Sequence, residues 1–176
     1  VERSDTEAIC VTASGCGTTI ADYAHLFAND PDHRVRAARV TLLAKDISQI
    51  VAAEAPALEK LLGARKQRGT VAFHSPCSLQ HGQQIRGVVE GLLQKAGYEL
   101  TRVADGHLCC GSAGTYSILQ PDLSMQLRAR KITALEAGKP AQVATANIGC
   151  LAHLQPATQR PVRHWIEQDP HPPRRR

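Results

Sequence analysis

The sequence predicts an α/β fold built on mostly parallel strands, and three observations carry that prediction. Short β-branched or apolar runs alternate with helical patterns along the 176 residues, the order expected of strands joined by helical crossovers. Each strand-like run in the second half of the chain leads into a polar segment that bears cysteine. A short stretch near the amino terminus is echoed near the carboxyl terminus, so the chain reads as two related units, the first one shorter.

Ala8-Ile9-Cys10-Val11-Thr12 has the composition of a strand. Val40, Leu43, Ile47 and Ile50 then recur at helical spacing, which predicts a helix with these residues on one face. The first unit is expected to span residues 1–55. Residues 56–69, with Pro56, Gly63 and Gly69 beside Arg65, Lys66 and Arg68, are expected to link it to the second.

The second unit, residues 70–168, is patterned more clearly. Thr70-Val71-Ala72-Phe73 predicts a strand that ends in His74-Ser75-Pro76-Cys77. Ile85, Val88, Val89, Leu92, Leu93 and Ala96 form an apolar stripe at helical spacing, and Gly97 stops that helix. Tyr98 to Ala104 is a further strand, followed by Asp105-Gly106-His107-Leu108-Cys109-Cys110-Gly111. Pro121 suits the first turn of a helix carrying Leu123, Leu127, Ile132 and Leu135. Gln142 to Ala146 is the last strand predicted, running into Asn147-Ile148-Gly149-Cys150. Residues 169–176 form a basic tail with the composition of disorder.

The cysteines of the second unit thus follow three strands, and in an open parallel sheet the carboxyl ends of strands share one edge, where ligands bind. Cys77, Cys109, Cys110 and Cys150 can therefore meet although they span 73 residues of sequence. The echo pairs Thr12-Ala13-Ser14-Gly15-Cys16 with Thr145-Ala146-Asn147-Ile148-Gly149-Cys150. Only the second copy has Cys77 and the Cys109-Cys110 pair before it. A true repeat then implies that about 70 residues of the first unit lie upstream of Val1. The alternative is chance similarity. That Val1 opens the chain and Met125 is its sole methionine also predicts a piece of a longer protein or a processed product.

Thirty-one residues separate Cys77 from Cys109-Cys110-Gly111, and 38 more precede Cys150-Leu151-Ala152-His153. Thiolates select zinc, copper(I) or iron–sulfur clusters. Adjacent cysteines in extended chain point to opposite sides, so the pair suits different irons of a polynuclear cluster better than one tetrahedral ion. Gly111 lets the backbone approach a cluster and adopt dihedrals closed to other residues. Buried cysteines acting as small apolar side chains, or thiol–disulfide chemistry at the adjacent pair, are the competing readings. His153, three residues after Cys150, is either a further ligand or a cap. Cys10 is expected to pack in a core. Gly111-Ser112-Ala113-Gly114 lacks the lysine of a phosphate-binding loop.

Composition narrows the classes further. Hydrophobic residues make up 43 %, enough for a buried core. Six cysteines are too few for a disulfide-stapled scaffold of this length and predict a reducing, cytoplasmic setting. No apolar run approaches the ~20 residues of a membrane span. The net charge of +5 owes three charges to Arg174-Arg175-Arg176, and one Trp, three Tyr and two Phe are too few to line a nucleic-acid interface. No nucleic-acid partner is expected.

The Cys…Cys-Cys-Gly…Cys pattern resembles the cysteine-rich CCG module of heterodisulfide reductase B-type subunits and related electron-transfer subunits. Thr12 to Gly17, Cys77 to His81, His107 to Tyr116, Thr145 to Cys150 and Val162 to Glu167 further resemble the iron–sulfur subunits of glycolate oxidases, a branch of that family. The resemblance covers residues 8 to 167. It implies a Rossmann-like CCG unit preceded by the remnant of a second such unit. It also implies a 4Fe-4S type cluster on Cys77, Cys109, Cys110 and Cys150, with Cys16 as the remnant ligand of the first unit and Gly111 in the cluster surroundings. Where the family motif ends in cysteine this chain has His153, and Thr19 stands at the matching place of the first copy.

The implied function is electron relay from FAD-containing glycolate oxidase subunits, which convert glycolate to glyoxylate, towards a membrane acceptor. The implied location is cytoplasmic, peripheral at the inner face of the membrane. No general base or flavin-binding loop is evident, so substrate chemistry is expected on the partner. A zinc-stabilised binding module and a non-functional remnant of a truncated gene are the alternatives.

Overall fold

The structure, a computed structural model, describes residues 5–62 and 67–167. Two parallel sheets organise them. The smaller pairs β1 (Ile9–Val11) with β2 (Ala44–Asp46), Ile9 lying opposite Ala44. The larger has the order β4-β3-β5-β6, from β3 (Thr70–His74), β4 (Glu99–Leu100), β5 (Gln142–Thr145) and β6 (Val162–His164). All three of its pairings are parallel. The α/β class expected from the alternating pattern is what forms.

Alternation along β3 and β5 splits the core in two. Val71, Phe73, Ala144 and Ala146 face Val89 and Leu93 of α6 (Val88–Lys95), together with Leu79, Tyr98 and Trp165. Ala72 and Val143 face the other way, onto Ile132 and Leu135 of α8 (Pro121–Glu136) and Leu154 of α9 (Ile148–Leu154). A parallel sheet covered on both faces reads as apolar throughout, which is why Val-Ala-Phe and Val-Ala-Thr serve here. Leu135 and Leu154 are fully buried, and each contributes about 1.5–3 kcal/mol by leaving water.

The first part of the chain adds α1 (Ser14–Ala21), α2 (Tyr23–Leu26), α3 (Arg34–Leu43), α4 (Ile47–Ala53) and α5 (Ala55–Leu62), while the short α7 (Tyr116–Leu119) leads into α8. It docks on the larger sheet through polar contacts at the start of α1. Ser14 N–H donates to the Ala146 carbonyl at 3.2 Å. Its hydroxyl lies 2.8 Å from that of Ser78 and accepts from Asn147 Nδ2 at 3.2 Å. His164 Nε2 lies 2.9 Å from the Thr12 carbonyl oxygen. Ile47 and Val51 of α4 complete this contact by packing against the α6 side of the core.

Four expectations fail locally. The helical run over Val40 to Ile50 is broken after Leu43 by β2. Asp46 starts a new helix instead: its carboxylate accepts from Ser48 N–H at 2.9 Å, and Gln49 Oε1 accepts from Asp46 N–H at 3.1 Å. This capping box restarts the helix at Ile47. The stripe from Ile85 to Ala96 becomes helical only at Val88, because Gly87 takes a left-handed φ of 74°. Ile85 reaches the same core from the segment after the π-helical turn Ser78–Gly82. The strand expected over 98–104 shortens to β4, an edge strand. Cys10 is exposed rather than packed, since the two-stranded sheet leaves that side of β1 open.

Within 56–69, most of α5 fills the first part, and Arg68 N–H donates to the Gly97 carbonyl at 2.9 Å. Residues 63–66 and the expected tail 169–176 lie outside the described residues. Among the described residues no helix is long and apolar enough to cross a membrane.

Candidate metal centre

Three segments converge at the carboxyl edge of the larger sheet. Cys77 follows β3 through Ser75-Pro76 and opens the π-helical turn, whose first residues are held by Leu79 and Gln80 N–H donating to the Pro76 carbonyl, each at 3.0 Å. Gln80 ties this turn to the next loop, because its amide donates to the carbonyls of Ser75 at 2.9 Å and Gly106 at 3.1 Å. From α8, buried Lys131 donates to the Asp105 carbonyl at 3.0 Å and Arg130 pairs with the Asp105 carboxylate at 2.8 Å. The loop that delivers Cys109 and Cys110 is thus fixed from both sides. The Arg130 guanidinium also holds the exposed Asp105 carboxyl below its ordinary range.

Gly111 makes the cysteine pair possible. Its φ is 95°, and a Cβ there would lie 2.4 Å from the Ser124 carbonyl oxygen of α8. The Ser124 hydroxyl donates to the Gly111 carbonyl at 2.8 Å, and Gly111 N–H donates to Cys109 Sγ at 3.3 Å. The close approach that the structure shows at Gly111 is to α8, whereas the approach expected from the sequence is to a cluster. Cys150 arrives on the first turn of α9, where Asn147 caps by accepting from Gly149 N–H at 2.8 Å.

All six cysteines are free. Four of their sulfurs form a chain of contacts: Cys77 with Cys109, Cys109 with Cys110, and Cys110 with Cys150. The sequence argument that adjacent cysteines diverge describes extended chain. Here the turn at Gly111 lets Cys109 and Cys110 touch. Hydrogen bonds from Cys110, then from Cys77, hold the Cys109 thiol far below its ordinary range. Cys150 is lowered by Cys110 first and by His74 as well. Cys77 and Cys110 are pushed up, chiefly because each donates to the Cys109 sulfur.

His74, the last residue of β3, was not singled out by its sequence. It is 1 % exposed, its ring nitrogens have no oxygen or nitrogen partner, and its polar contact is with the Cys150 sulfur. Its ligating atom and the sulfurs of Cys110 and Cys150 all lie within 4.8 Å of one another. The signal was present in the alternation: Ala72 faces the Cys110 and Cys150 side, so His74 does too.

The other two candidates stand apart. Cys16 is exposed on the first turn of α1 and is not among the sulfur contacts of the four. His153 is half-buried on α9, with Nε2 3.4 Å from the Ser124 hydroxyl.

Four soft sulfur donors and a buried imidazole beside two of them form a donor set that fits an iron–sulfur cluster or zinc. Comparison with known proteins bears on that choice. Residues 71–155 match the cysteine-rich domain family, CCG. The chain is 49 % identical over 161 residues to the glycolate oxidase iron-sulfur subunit of Escherichia coli (strain K12), covering 92 % of this chain and 39 % of that protein. It is 29 % identical over 160 residues to the "Probable glycolate oxidase iron-sulfur subunit" of Bacillus subtilis (strain 168), covering 90 % and 36 %. Lactate utilization protein A of Anoxybacillus flavithermus is 29 % identical over 158 residues, 87 % of this chain and 65 % of that one. The chain therefore spans well under half the length of the first two relatives.

Proposed function

We propose that residues 71–155, which match the cysteine-rich CCG domain family, hold an iron–sulfur cluster of the 4Fe-4S type on Cys77, Cys109, Cys110 and Cys150 in an electron-transfer subunit. The observation that carries this reading is the contact chain of four sulfurs drawn from three separate loops. The exposure of Cys16 and the engagement of His153 with Ser124 leave both outside the proposed ligand set.

When bound, such a cluster supplies one-electron transfer. The protein's own work is placement and insulation. Gly111 and Ser124 lock the cysteine pair to α8, Gln80 and Lys131 anchor the surrounding loops, and burial of Cys110 and Cys150 keeps water from their sulfurs.

The wider assignment rests on the relatives named above. The complete protein passes electrons from an FAD-containing partner that oxidises glycolate or a similar 2-hydroxy acid, towards a membrane acceptor, working at the cytoplasmic face. The residues 1–55, 56–69 and 70–168 correspond, on this reading, to the end of a first CCG unit, a connecting segment and a second CCG unit. This chain supplies no substrate chemistry, and glycolate should not be turned over by it alone.

The test is anaerobic loading of the purified chain with ferrous iron, sulfide and zinc in competition, followed by counting each per chain. Iron with acid-labile sulfide and a broad visible charge-transfer absorption is expected. A colourless chain holding one zinc and no sulfide would replace the relay with a zinc-stabilised module.

A further inference from the structure

We infer that His74 supplies a nitrogen donor to the metal centre of Cys77, Cys109, Cys110 and Cys150, the role that sequence spacing alone would offer to His153. The inference deepens the ligation reading above and rests on it.

Backbone geometry places the residue. Side chains alternate along a strand, so His74 shares the face of Ala72, which packs with Cys110, Val143 and Cys150. Parallel pairing sets His74 beside Thr145 at the carboxyl end of β5, two residues on from Val143 on that same face. His74 is therefore built into the rigid edge of the sheet, where a ligand needs little reorganisation to engage.

Desolvation gives the physical reason for a partner. At 1 % exposure, no oxygen or nitrogen partner satisfies Nδ1 or Nε2, and the Thr145 hydroxyl has none either; the polar contact of the ring is with the Cys150 sulfur. An unpaired buried polar group is destabilising by about 1–3 kcal/mol. An apolar side chain would serve a plain core position better, and the contact with the Cys150 sulfur turns the imidazole toward the cysteines. The nearest chemistry is a pair of sulfurs, those of Cys110 and Cys150, within 4.8 Å of the ring's ligating atom and of each other. An imidazole nitrogen beside two cysteine sulfurs is an ordinary donor for iron or zinc. The other ring nitrogen is left for an outer-sphere partner, and Thr145 is the hydroxyl that the register places alongside.

His153 compares poorly. Its Nε2 already lies 3.4 Å from the Ser124 hydroxyl, it is only half-buried, and it is absent from the convergent group.

The experiment labels the chain with 15N-histidine, loads it anaerobically with ferrous iron and sulfide, adds dithionite to bring the cluster to its one-electron-reduced paramagnetic state, and reads nitrogen hyperfine coupling by pulsed electron paramagnetic resonance. Coupling is expected in the unsubstituted chain and in His153→Asn, and it should vanish in His74→Gln and in His74→Cys. Metal retention against a chelator separates the two His74 variants. His74→Gln should lose iron at least roughly tenfold faster, the lower bound set by loss of an outer-sphere partner, whereas His74→Cys, with a donor restored, should hold it near the unsubstituted rate. Should His74→Gln fail to fold, His74→Cys and His153→Asn still decide the question. Coupling that survives in His74→Cys, that disappears in His153→Asn, or that is missing from an iron-loaded unsubstituted chain overturns the inference and leaves the four-cysteine reading intact. A chain that takes up no iron overturns both.

Discussion

The units β1–α1 and β5–α9 begin with nearly the same residues and end with cysteines of opposite character. Thr12-Ala13-Ser14 and Thr145-Ala146-Asn147 each leave a parallel strand and enter a helix. Cys16 nevertheless stands exposed, while Cys150 is buried against Cys110 and His74. The difference lies in what neighbours each strand. β5 sits between β3 and β6, so His74 and the loop bearing Cys109 and Cys110 converge on its carboxyl end. β1 has β2 as its partner, and the start of α1 meets hydroxyl and amide groups of Ser78 and Asn147 instead. A strand-turn-helix with a cysteine therefore specifies a place at a sheet edge. Neighbouring strands turn that place into a site.

The largest expected effect breaks the comparison at its sulfurs. Cys110 touches both Cys109 and Cys150, so Cys110→Ser should reduce iron and sulfide per chain to background, and Cys109→Ser should do the same. Cys16→Ser and Cys10→Ser should leave both counts unchanged. In the loaded chain iodoacetamide should label Cys10 and Cys16 and spare the other four, a pattern that peptide mass mapping reads directly. Loss of iron in Cys16→Ser would join the first unit to the centre.

Next in size is a glycine in each unit. Gly111→Ala forces a side chain into the left-handed region, about 1–3 kcal/mol of strain, and drives Cβ to 2.4 Å from the Ser124 backbone oxygen, which cannot swing away. Thermal unfolding should show a loss larger than that strain alone, accompanied by weaker iron retention. In the first unit, Gly17→Ala meets the end of the Gln83 side chain at 2.7 Å. That chain can move, and alanine is favoured over glycine inside a helix by roughly 0.5–1 kcal/mol. Gly17→Ala should unfold within about 1 kcal/mol of the unsubstituted chain and keep its iron. A severe loss there would show that Gln83, which donates to the Ser14 carbonyl at 3.0 Å, fixes the docking of α1.

These expectations depend on features of uneven legibility in the sequence. The parallel α/β class, the strands at Thr70 and Gln142, the helix from Pro121 and the four cysteines follow from periodicity and spacing, because burial on both faces demands apolar runs there. The break at Asp46 was legible in principle from the Asp-x-x-Gln capping pattern, but the apolar spacing of Val40, Leu43, Ile47 and Ile50 runs through it. β6 is three residues long and carries Arg163 between its buried positions, too short to show a period. Ile85 mimicked a helical residue because a segment without helix delivers it to the same core. His74 escaped notice because its importance is three-dimensional: nothing in His-Ser-Pro-Cys reveals that its ring faces Cys110 and Cys150. Cys10 misled for the opposite reason, since a cysteine in a strand is ordinarily packed and this strand has an open side.

The smallest effect tests the seam between the two units. The Ser14 hydroxyl is fully buried, 2.8 Å from that of Ser78 and 3.2 Å from Asn147 Nδ2. Asn147 has a second task, since its Oδ1 caps α9 through Gly149 N–H at 2.8 Å. Asn147→Ala should therefore destabilise by about 0.5–2 kcal/mol from the cap, plus the loss of its bond to Ser14. Ser14→Ala should remove about 0.5–1.5 kcal/mol for each bond it makes while leaving the cap of α9 in place. In the double variant the Ser14–Asn147 contribution is removed only once, so the two losses should fall short of additivity by about 0.5–1.5 kcal/mol, within the range for residues in direct contact. Denaturant unfolding of the four proteins measures this. Ser14→Ala should also leave iron per chain unchanged, because Ser14 touches the turn after Cys77 and no sulfur. Strict additivity would mean that the seam is not held by this pair, and the resemblance of Thr12-Ala13-Ser14 to Thr145-Ala146-Asn147 would then describe two separate helix starts instead of one shared junction.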